Sequence, residues 1–226
     1  MTTTTRRNQN KIFLETEGDK YYDRNKSALE GKGQFYCEEL LCQVLSPFKA
    51  EVNHILEIGC SSGTKLQHLC NFFGADGSGI DPSSKAVAAG NQRLSRAGIQ
   101  NVGLRVSTAD VLPFQNHQFD LVYFGFCLYL VNRDALFVTI AEADRVLRPE
   151  GFLAIVDFDP SQRHKRPYHH KEGVFSYKQQ YADLFTASGH YHLMSKDSFS
   201  HNDHHFSKDS DERVSLCVLY KEPEPY

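Results

Sequence analysis

Three carboxylates, each associated with an apolar run, are the residues of this chain best suited to bind a charged ligand. Glu57 ends one run and precedes a small-residue turn that Gly59 and Gly63 bound; Asp81 ends a second run, and Asp110 follows a third. Two successive strands, a tight loop between the first strand and its helix, and an acidic residue ending the second strand form the layout of a nucleotide-type cofactor site. The spacing therefore predicts a site for an adenosine-containing cofactor.

The charge of Glu57, two residues before Gly59, indicates which cofactor the turn suits. In a dinucleotide site the glycines bring the backbone and a helix N-terminus close to a pyrophosphate, which a carboxylate at this position would repel. S-adenosylmethionine has no phosphate, and its sulfonium and ammonium groups attract a carboxylate. The turn therefore favours S-adenosylmethionine over a dinucleotide.

Residues 55–63, ILEIGCSSG, resemble the first motif of the class I S-adenosylmethionine-dependent methyltransferases. In that family an acidic residue is followed, after one residue, by glycines at alternate positions. Ser61 replaces the middle glycine, and a serine is expected to exclude a strongly positive φ there. A glycine-rich turn alone also fits an ordinary connection between a strand and a helix, so the interpretation depends on the segments that follow.

The resemblance implies roles for the two later carboxylates. It implies that Asp81 binds both ribose hydroxyls and that Asp110 binds the adenine amino group, with Val111 and Leu112 beside the ring. A helix is expected to start directly after Asp81, because proline is favoured in a first turn and serine at a cap. A lone Asp after a strand usually caps a helix. The glycine-rich turn and the carboxylates of Glu57, Asp81 and Asp110, in this order, together favour a cofactor site. The implied cofactor-binding residues are Tyr22, Arg24, Glu57, Gly59, Cys60, Ser61, Gly63, Asp81, Pro82, Ser83, Asp110, Val111, Phe124 and Gly125.

Two long apolar segments predict further strands of a parallel sheet. Residues 119–130, FDLVYFGFCLYL, suit a strand buried on both faces, and the run breaks at Gly125. Residues 142–159 predict a helix ending before Pro149, a turn at Glu150-Gly151 and another buried strand through residue 157.

The remaining part of the chain predicts a helix over residues 176–188 and strands over residues 191–200 and 212–221. The last two strands match the sixth and seventh strands of the family, of which the last is antiparallel. The resemblance covers roughly residues 52–158. It implies an α/β, Rossmann-like class I methyltransferase fold, with a seven-stranded, mostly parallel sheet, a terminal antiparallel strand, and helices on both faces.

Residues 17–26, EGDKYYDRNK, resemble a signature that precedes the core of some bacterial methyltransferases linked to surface sugars and small metabolites. The resemblance implies a lid over the cofactor, with an aromatic ring near the sulfonium and Arg24 near the methionine carboxylate. The alternative interpretation is a polar helix start.

The predicted organisation has two parts. Residues 1–45 form an N-terminal lid and a helix that runs from about residue 33 to 45, and residues 46–226 form a methyltransferase domain with a C-terminal β-hairpin. Residues 1–10 are expected to be disordered.

Methyl transfer requires a nucleophile about 3 Å from the methyl group and in line with the sulfur. For a hydroxyl acceptor, a general base contributes roughly 10² to 10⁴ in rate. His169 and His170 lie in the loop after the fifth predicted strand, where ligands bind in open α/β sheets, and are the predicted base or substrate contacts. A solvated basic loop is the alternative for either histidine. The predicted substrate-contacting residues are Tyr21, Tyr129, Tyr168 and Tyr177.

The composition narrows the class of protein. The 226 residues, 40% of them hydrophobic, suffice for one domain with a large core, and the net charge of −3 predicts no nucleic-acid-binding surface. No run of about 18 apolar residues and no signal peptide occurs, so we expect no membrane span and a cytoplasmic protein. The six cysteines form no CxxC pair, which suits reduced thiols. Eight of the eleven histidines follow residue 160, but their spacing matches no zinc pattern, and no metal is predicted.

The predicted function is transfer of a methyl group from S-adenosylmethionine to a hydroxyl or carboxylate oxygen of a small molecule, such as a sugar derivative or secondary metabolite. An N-methyltransferase or a peptide-modifying enzyme is the alternative. A short-chain nicotinamide oxidoreductase needs a Tyr-x-x-x-Lys pair after the core, whereas Tyr22 and Lys26 precede the first strand. A non-catalytic methyltransferase-like module stays open until turnover is measured. No Pro-Pro-aromatic motif follows the fourth strand, so nucleic-acid bases are not expected as acceptors.

Overall fold

The computed structural model describes residues 8–29 and 35–224, and seven strands of this part form one sheet. In chain order, the strands are β1 (His54–Ile58), β2 (Asp76–Asp81), β3 (Val102–Val106), β4 (Phe119–Gly125), β5 (Leu147–Phe158), β6 (His164–Pro167), β7 (Phe175–Lys178), β8 (Tyr191–Ser200) and β9 (Arg213–Lys221). The sheet has the order β3-β2-β1-β4-β5-β9-β8, with β1 to β5 parallel and β9 antiparallel to both neighbours. The predicted α/β fold with a terminal antiparallel strand is confirmed.

Helices cover both faces of this sheet. They are α1 (Gln9–Ile12), α2 (Gly18–Leu29), α3 (Tyr36–Leu45), α4 (Thr64–Phe73), α5 (Ser84–Arg96), α6 (Leu136–Val146) and α7 (Ala182–Thr186), with a π-helical segment at Phe13–Glu17 and 3₁₀ turns at Ser46–Glu51, Leu128–Leu130 and Arg133–Ala135. Helices α3, α4 and α5 pack on one face, and α6 and α7 on the other. Every β4 side chain from Phe119 to Phe124 is therefore buried, which explains its continuous apolar run.

A left-handed glycine and a serine cap precede the helices that follow β1 and β2, respectively. Helix α4 begins after Gly63, whose φ of 71° places it in the left-handed region. Helix α5 begins at Ser84, and the Oγ atom of its N-cap, Ser83, accepts a 3.0 Å hydrogen bond from the backbone N–H of Ala86. The predicted helix after Asp81 is therefore present, two residues later than Pro82.

The helix predicted over residues 176–188 is wrong for most of its length. Residues 175–178 form β7, which pairs antiparallel with β6, and the helix in this region is confined to α7. The alternating segment Phe175–Lys178 finds a strand partner in His164–Pro167, and this tertiary pairing overrides the helical spacing. The loop expected after β5 is therefore partly an ordered hairpin.

The N-terminal strap, defined here as residues 8–29, runs across the carboxyl end of the sheet. Gln9 Nε2 donates hydrogen bonds to the backbone oxygens of Leu130 and Phe175, at 2.6 and 2.8 Å, and the Phe175 N–H donates back to Gln9 Oε1. The prediction of disorder is wrong for Gln9 and Asn10, which are 2% and 8% exposed, because hydrogen bonds hold both side-chain amides. Residues 1–7 lie outside the described residues.

Two further boundaries concern the same region. The helix expected from residue 33 is described from Tyr36, while residues 33–34 lie outside the described residues. The division of the chain at residue 45 stays a prediction.

Candidate active site

A cavity of about 620 Å³ lies at the carboxyl ends of β1, β2, β4 and β5. Its walls come from the strap, the turns after β1, β2 and β3, the ends of β4 and β5, and residues 199–204, which end β8 and begin the segment that follows it. Ligands of open α/β sheets bind at this edge, and the volume suits a small-molecule site.

Glu57 places a buried carboxylate in the cavity wall. Its side chain is on β1 and 1% exposed, and its Oε2 atom has no hydrogen-bond partner among the described residues. Burial raises the pKa of Glu57 to about 8. A Cβ atom at Gly125 would lie 2.8 Å from Glu57 Oε1, so only glycine leaves space for the carboxylate at the end of β4. A cationic group in the cavity would satisfy the unpaired oxygen.

Asp81 presents both carboxylate oxygens at the end of β2. Its Oδ2 accepts a 2.9 Å hydrogen bond from the Ser61 N–H, and its Oδ1 accepts a 2.8 Å bond from the Ser83 N–H. Burial raises the pKa of Asp81 to about 6. Each oxygen keeps a lone pair beyond the one engaged with the backbone, so the side chain can accept hydrogen bonds from two vicinal hydroxyls.

The expectation that serine excludes a positive φ at position 61 is wrong. Ser61 has a φ of 49°, in the left-handed region. The Ser61 N–H in this conformation donates to Asp81, and this charge-assisted hydrogen bond helps to hold the unusual backbone. Serine thus takes the conformation that the family pattern supplies with glycine.

Lys65 of α4 is a cationic residue of the wall that the sequence interpretation missed. Its Nζ atom lies 3.1 Å from Glu38 Oε1 of α3, and the Tyr123 hydroxyl donates a 2.5 Å hydrogen bond to the same carboxylate. The pKa of Lys65 is raised because Glu38 outweighs the opposing effect of burial. Its charge is therefore already paired within the protein. A lysine one residue into a helix gives no distinctive sequence signal.

The structure separates the predicted cofactor residues into two groups. Those that line the cavity are Tyr22, Glu57, Gly59, Cys60, Ser61, Asp81, Pro82 and Gly125. Those that do not line it are Arg24, Gly63, Ser83, Asp110, Val111 and Phe124. Gly63 and Ser83 lie at helix starts, and Phe124 is fully buried in the core below the site.

Asp110 and Val111 differ most from the interpretation by resemblance. Asp110 Oδ1 accepts a 2.7 Å hydrogen bond from Asn10 Nδ2 of the strap, and Val111 is 61% exposed. Thr108 and Ala109 line the cavity instead. The turn closed by the 3.0 Å bond from Val111 N–H to Thr108 O directs Val111 away from the site.

Arg24 is held by the strap itself. Its Nη2 atom lies 2.5 Å from Oε1 of Glu17, which is fully buried, and 3.0 Å from the Tyr168 hydroxyl. A buried carboxylate is stabilised by a paired cation, and Arg24 is that cation for Glu17. Its guanidinium does not line the cavity, and the implied contact with a methionine carboxylate stays a prediction.

The predicted substrate tyrosines also divide. Tyr21, Tyr129 and Tyr168 line the cavity, whereas Tyr177 does not and has the Arg133 guanidinium 4.4 Å from its ring centroid. The hydroxyls of Tyr21 and Tyr129 are 3.5 Å apart, and burial raises the pKa of both. Both phenols are protonated at neutral pH and can donate hydrogen bonds.

His169 and His170 lie in the turn between β6 and β7. His170 lines the cavity and packs edge-on against Tyr168, with ring centroids 5.3 Å apart, whereas His169 does not line the cavity. Neighbouring residues of a tight turn face different directions, and the hairpin turns one of the two histidines away. Their predicted catalytic role stays untested.

Three rings outside the predicted site residues, those of Phe126, Phe158 and His201, join Tyr129 on the other side of the cavity. We call Phe126, Tyr129, Phe158 and His201 the aromatic wall. The Phe126 centroid lies 5.1 Å from Tyr129, 5.0 Å from Phe158 and 5.3 Å from His201, and the Tyr129 and Phe158 centroids are 5.1 Å apart. The aromatic residue after Gly125 and the histidine-rich segment between two predicted strands were the available signals.

The backbone at Phe126 is strained. Its φ of 62° is in the left-handed region, which costs a bulky residue on the order of 1–3 kcal/mol. The Phe126 N–H donates a 3.0 Å hydrogen bond to Val156 O of β5, which holds the conformation. Strain of this kind persists where the surrounding structure fixes a residue, commonly at a ligand site.

Two further features of the described residues concern metal sites and membrane spans. Within residues 8–29 and 35–224, no cluster of three histidine, cysteine, aspartate or glutamate side chains could hold a metal ion. No helix in that same part is long and apolar enough to cross a bilayer. The absence of a metal from the predicted mechanism stays a prediction.

Comparison with known proteins identifies the class. Residues 55–151 match the family model described as a methyltransferase domain, and this stretch contains β1 to β4, Glu57 and Asp81. This match and this fold support membership of the class I S-adenosylmethionine-dependent methyltransferases. Their cofactor is S-adenosylmethionine, and the unpaired oxygen of Glu57 and the paired acceptors of Asp81 fit its ammonium and ribose hydroxyls.

Individual relatives differ in their named acceptors. The chain is 28% identical over 148 residues to a demethylmenaquinone methyltransferase of Tropheryma whipplei (strain Twist), covering 66% of this chain and 59% of that protein. It thus spans less than two thirds of that relative's length. It is also 28% identical over 205 residues to a phosphoethanolamine N-methyltransferase of Plasmodium falciparum (isolate 3D7), covering 84% of this chain and 74% of that protein.

A solved structure shares the fold across most of the chain. The 1,6-didemethyltoxoflavin-N1-methyltransferase of Burkholderia thailandensis, solved with 1,6-didemethyltoxoflavin and S-adenosylhomocysteine, has a TM-score of 0.73 and 13% identity. The alignment covers 94% of this chain and 88% of that one.

Proposed function

We propose that this protein transfers a methyl group from S-adenosylmethionine to an oxygen of a small molecule. The proposal rests on the meeting, in one cavity, of the buried carboxylate of Glu57 and the half-buried carboxylate of Asp81 with the aromatic wall. The carboxylates suit the cationic and hydroxyl groups of the cofactor, and the rings supply an apolar surface for an organic acceptor.

Glu57 and Asp81 would hold the cofactor at the ends of β1 and β2. Glu57 would pair with the ammonium through its unpartnered Oε2, and Asp81 would accept hydrogen bonds from both ribose hydroxyls. When bound, the cofactor supplies an electrophilic methyl group. The protein must then hold an acceptor in line with it and exclude water.

The strap is the part of the chain that would exclude water. Asn10, Phe13, Tyr21 and Tyr22 all contribute to the cavity wall, and Gln9 fastens the strap to Leu130 and Phe175. We therefore propose that the N-terminal part, residues 1–45, acts as a lid on the methyltransferase domain of residues 46–226. A lid that must release product would open at each turnover.

The charges of the described lining favour a hydroxyl over a carboxylate acceptor. Beyond Glu57 and Asp81, which would hold the cofactor, Asp203 is an acidic lining residue, while the ammonium of Lys65 is paired with Glu38. An anionic acceptor would therefore meet repulsion without a free cation. The same acidic lining supports a second candidate function, methylation of an amine, which reaches the site as a cation.

Product analysis decides between these candidates. The protein is incubated with S-adenosylmethionine carrying a ¹³C-labelled methyl group and with panels of neutral hydroxyl, amine and carboxylic acid compounds. The ¹³C chemical shift of the product distinguishes an O-methyl from an N-methyl group. We expect O-methylation of a neutral hydroxyl compound. Calorimetry with S-adenosylhomocysteine and NAD is the control, and binding of NAD in preference to S-adenosylhomocysteine would overturn the proposed function.

A further inference from the structure

Phe126 and Phe158 give the aromatic wall most of its apolar surface. Their rings meet at 54° with centroids 5.0 Å apart, and both residues line the cavity. Phe126 reaches this position through a backbone conformation that asparagine or glycine adopts far more readily than phenylalanine. The fold thus maintains a large ring at a position where a smaller residue would relieve strain. The backbone conformation therefore does not explain why position 126 carries a phenylalanine.

His201 adds a polar edge to this surface. Its ring stacks on Phe126 at an interplanar angle of 20°, and its centroid is 5.9 Å from that of Phe158. Its backbone N–H donates a 2.7 Å hydrogen bond to Glu212 O, which fixes the residue at the start of the segment between β8 and β9. Within residues 8–29 and 35–224, no hydrogen bond engages the imidazole nitrogens of His201, so they are available to a ligand.

We propose that the aromatic wall is the acceptor subsite, that it takes a planar aromatic ring bearing a hydroxyl group, and that His201 accepts the hydroxyl proton. This inference rests on the proposed function and names its substrate class. A sugar would require a hydrogen-bonding partner for each of several hydroxyls, whereas the wall offers mainly π faces. A flat ring can stack on Phe126 while its hydroxyl meets the imidazole of His201.

The transfer needs no reactant beyond the acceptor, the cofactor and the imidazole of His201. The acceptor O–H bond breaks, and its proton passes to an imidazole nitrogen of His201. An oxygen electron pair forms the new C–O bond, and the C–S bond breaks with its electrons remaining on sulfur. The imidazolium then releases its proton to solvent.

The charge state of His201 suits this step. Desolvation among the packed rings lowers the pKa of His201, Glu212 opposes this effect, and Lys178 adds to it. The Lys178 ammonium lies 3.7 Å from the Phe158 ring centroid, beside the same wall. The imidazole is therefore neutral and able to accept a proton at pH 7. Tyr21 and Tyr129, the nearby phenols, hold their protons because burial raises their pKa.

The test uses 4-nitrocatechol, whose visible absorption differs between its phenol and phenolate forms. The probe is titrated into the protein saturated with S-adenosylhomocysteine, and cyclohexane-1,2-diol is the non-aromatic counterpart. Binding is followed by calorimetry and ionisation by absorbance across pH 5–8. The variants are His201→Asn and Phe126→Leu, with His192→Asn and Phe137→Leu as matched controls, since His192 is exposed on β8 and does not line the cavity, and Phe137 is 75% exposed on α6.

We expect wild type to bind 4-nitrocatechol as the phenolate and to bind the diol far more weakly. Phe126→Leu should lower probe affinity roughly three- to tenfold through lost stacking. His201→Asn should retain the probe but bind it as the phenol at the lower pH values. Each of these variants should keep its affinity for S-adenosylhomocysteine, which reports a folded cofactor site.

Other outcomes distinguish failure of the proposed function from failure of the acceptor-subsite inference. Failure of wild type to bind S-adenosylhomocysteine would overturn the proposed function itself. Binding of S-adenosylhomocysteine without the probe, equal affinity for the diol, or an unchanged phenolate spectrum in His201→Asn would overturn this inference alone.

Discussion

Asn10 Nδ2 donates a 2.7 Å hydrogen bond to Asp110 Oδ1, which ties the strap to the turn after β3. The other end of the same amide accepts a 2.8 Å bond from the Asn132 N–H, after β4. The carboxylate that the family resemblance assigns to adenine is thus engaged by the chain's own N-terminal segment. Asn10 joins two loops at the edge of the candidate active site.

An exchange of these two side chains tests the link. Asn10→Asp should destabilise the protein by about 1–3 kcal/mol, because two carboxylates then face each other. Asp110→Asn should cost less, since a neutral amide hydrogen bond remains possible. The double variant restores a donor opposite a carboxylate and should recover most of the stability. Urea unfolding measures all four proteins, and strictly additive effects would contradict the contact.

Asp19 anchors helix α2 of the strap to the start of helix α5. Its carboxylate accepts hydrogen bonds from Ser83 Oγ at 2.7 Å and from the Lys85 N–H at 3.0 Å. The close approach favours Gly18, since a Cβ atom there would lie 3.1 Å from Ser83 N and 3.2 Å from the carbonyl carbon of Pro82. The Gly-Asp pair of the N-terminal signature therefore has a docking role.

Asp19→Ala should lower the free energy of unfolding by about 1 kcal/mol, as for loss of a helix cap, and should weaken binding of S-adenosylhomocysteine. Asp23→Ala is the matched control, because the exposed Asp23–Lys85 ion pair is 2.6 Å long but solvated and should contribute little. Urea unfolding and calorimetry measure both quantities. Equal losses in the two variants would contradict a capping role for Asp19.

The affinity for S-adenosylhomocysteine should rise with pH. Burial raises the pKa of Glu57 to about 8, so at neutral pH the free protein mostly holds this proton. The ammonium of the ligand binds the carboxylate form, and binding therefore releases the proton. Affinity should increase by up to about tenfold per pH unit below pH 8 and level off above it.

Calorimetry in buffers of different ionisation enthalpy would count the proton released at pH 7. Glu57→Gln removes the titrating group, so its affinity should be lower and nearly independent of pH over this range. A wild-type affinity that is flat between pH 6 and 8 would show that Glu57 does not pair with the ammonium.

Asp81→Asn should weaken binding of adenosine by roughly 2–4 kcal/mol, because each charge-assisted hydrogen bond contributes about 1.5–3 kcal/mol. The ligand 2′,3′-dideoxyadenosine gives the matched comparison. Wild type should prefer adenosine strongly, whereas Asp81→Asn should bind the two nucleosides nearly equally. An unchanged preference in the variant would place the ribose elsewhere.

Local patterns predicted the features that depend on neighbouring residues. The unbroken apolar run of β4 reflects burial on both faces, and the Pro82-Ser83 pair after Asp81 marked the start of α5. The seven-stranded, mostly parallel sheet with an antiparallel last strand followed from the family resemblance, since its turns and strands occur in the same order along the chain. Such signals lie within a few residues of each other and can be read directly.

Long-range contacts account for what the sequence did not predict. Asn10 and Asp110 are 100 positions apart, and no local pattern pairs them. The strand Phe175–Lys178 was predicted as helix because its partner, β6, could not be identified from spacing alone. The positive φ values of Ser61 and Phe126 are imposed by hydrogen bonds to distant residues, against the preference of each side chain.

The contacts of Gln9 also constrain when the cavity can form as the chain is synthesised. Its amide bonds Leu130 and Phe175, which follow it by 121 and 166 positions. Closing such long loops is slow and entropically costly, and domains fold from the N-terminus as they emerge from the ribosome. The first segment made is therefore among the last to reach its native position. The full set of Gln9 contacts therefore forms only after β7 has emerged, and a chain truncated before that strand would keep the Leu130 contact and lose both hydrogen bonds to Phe175.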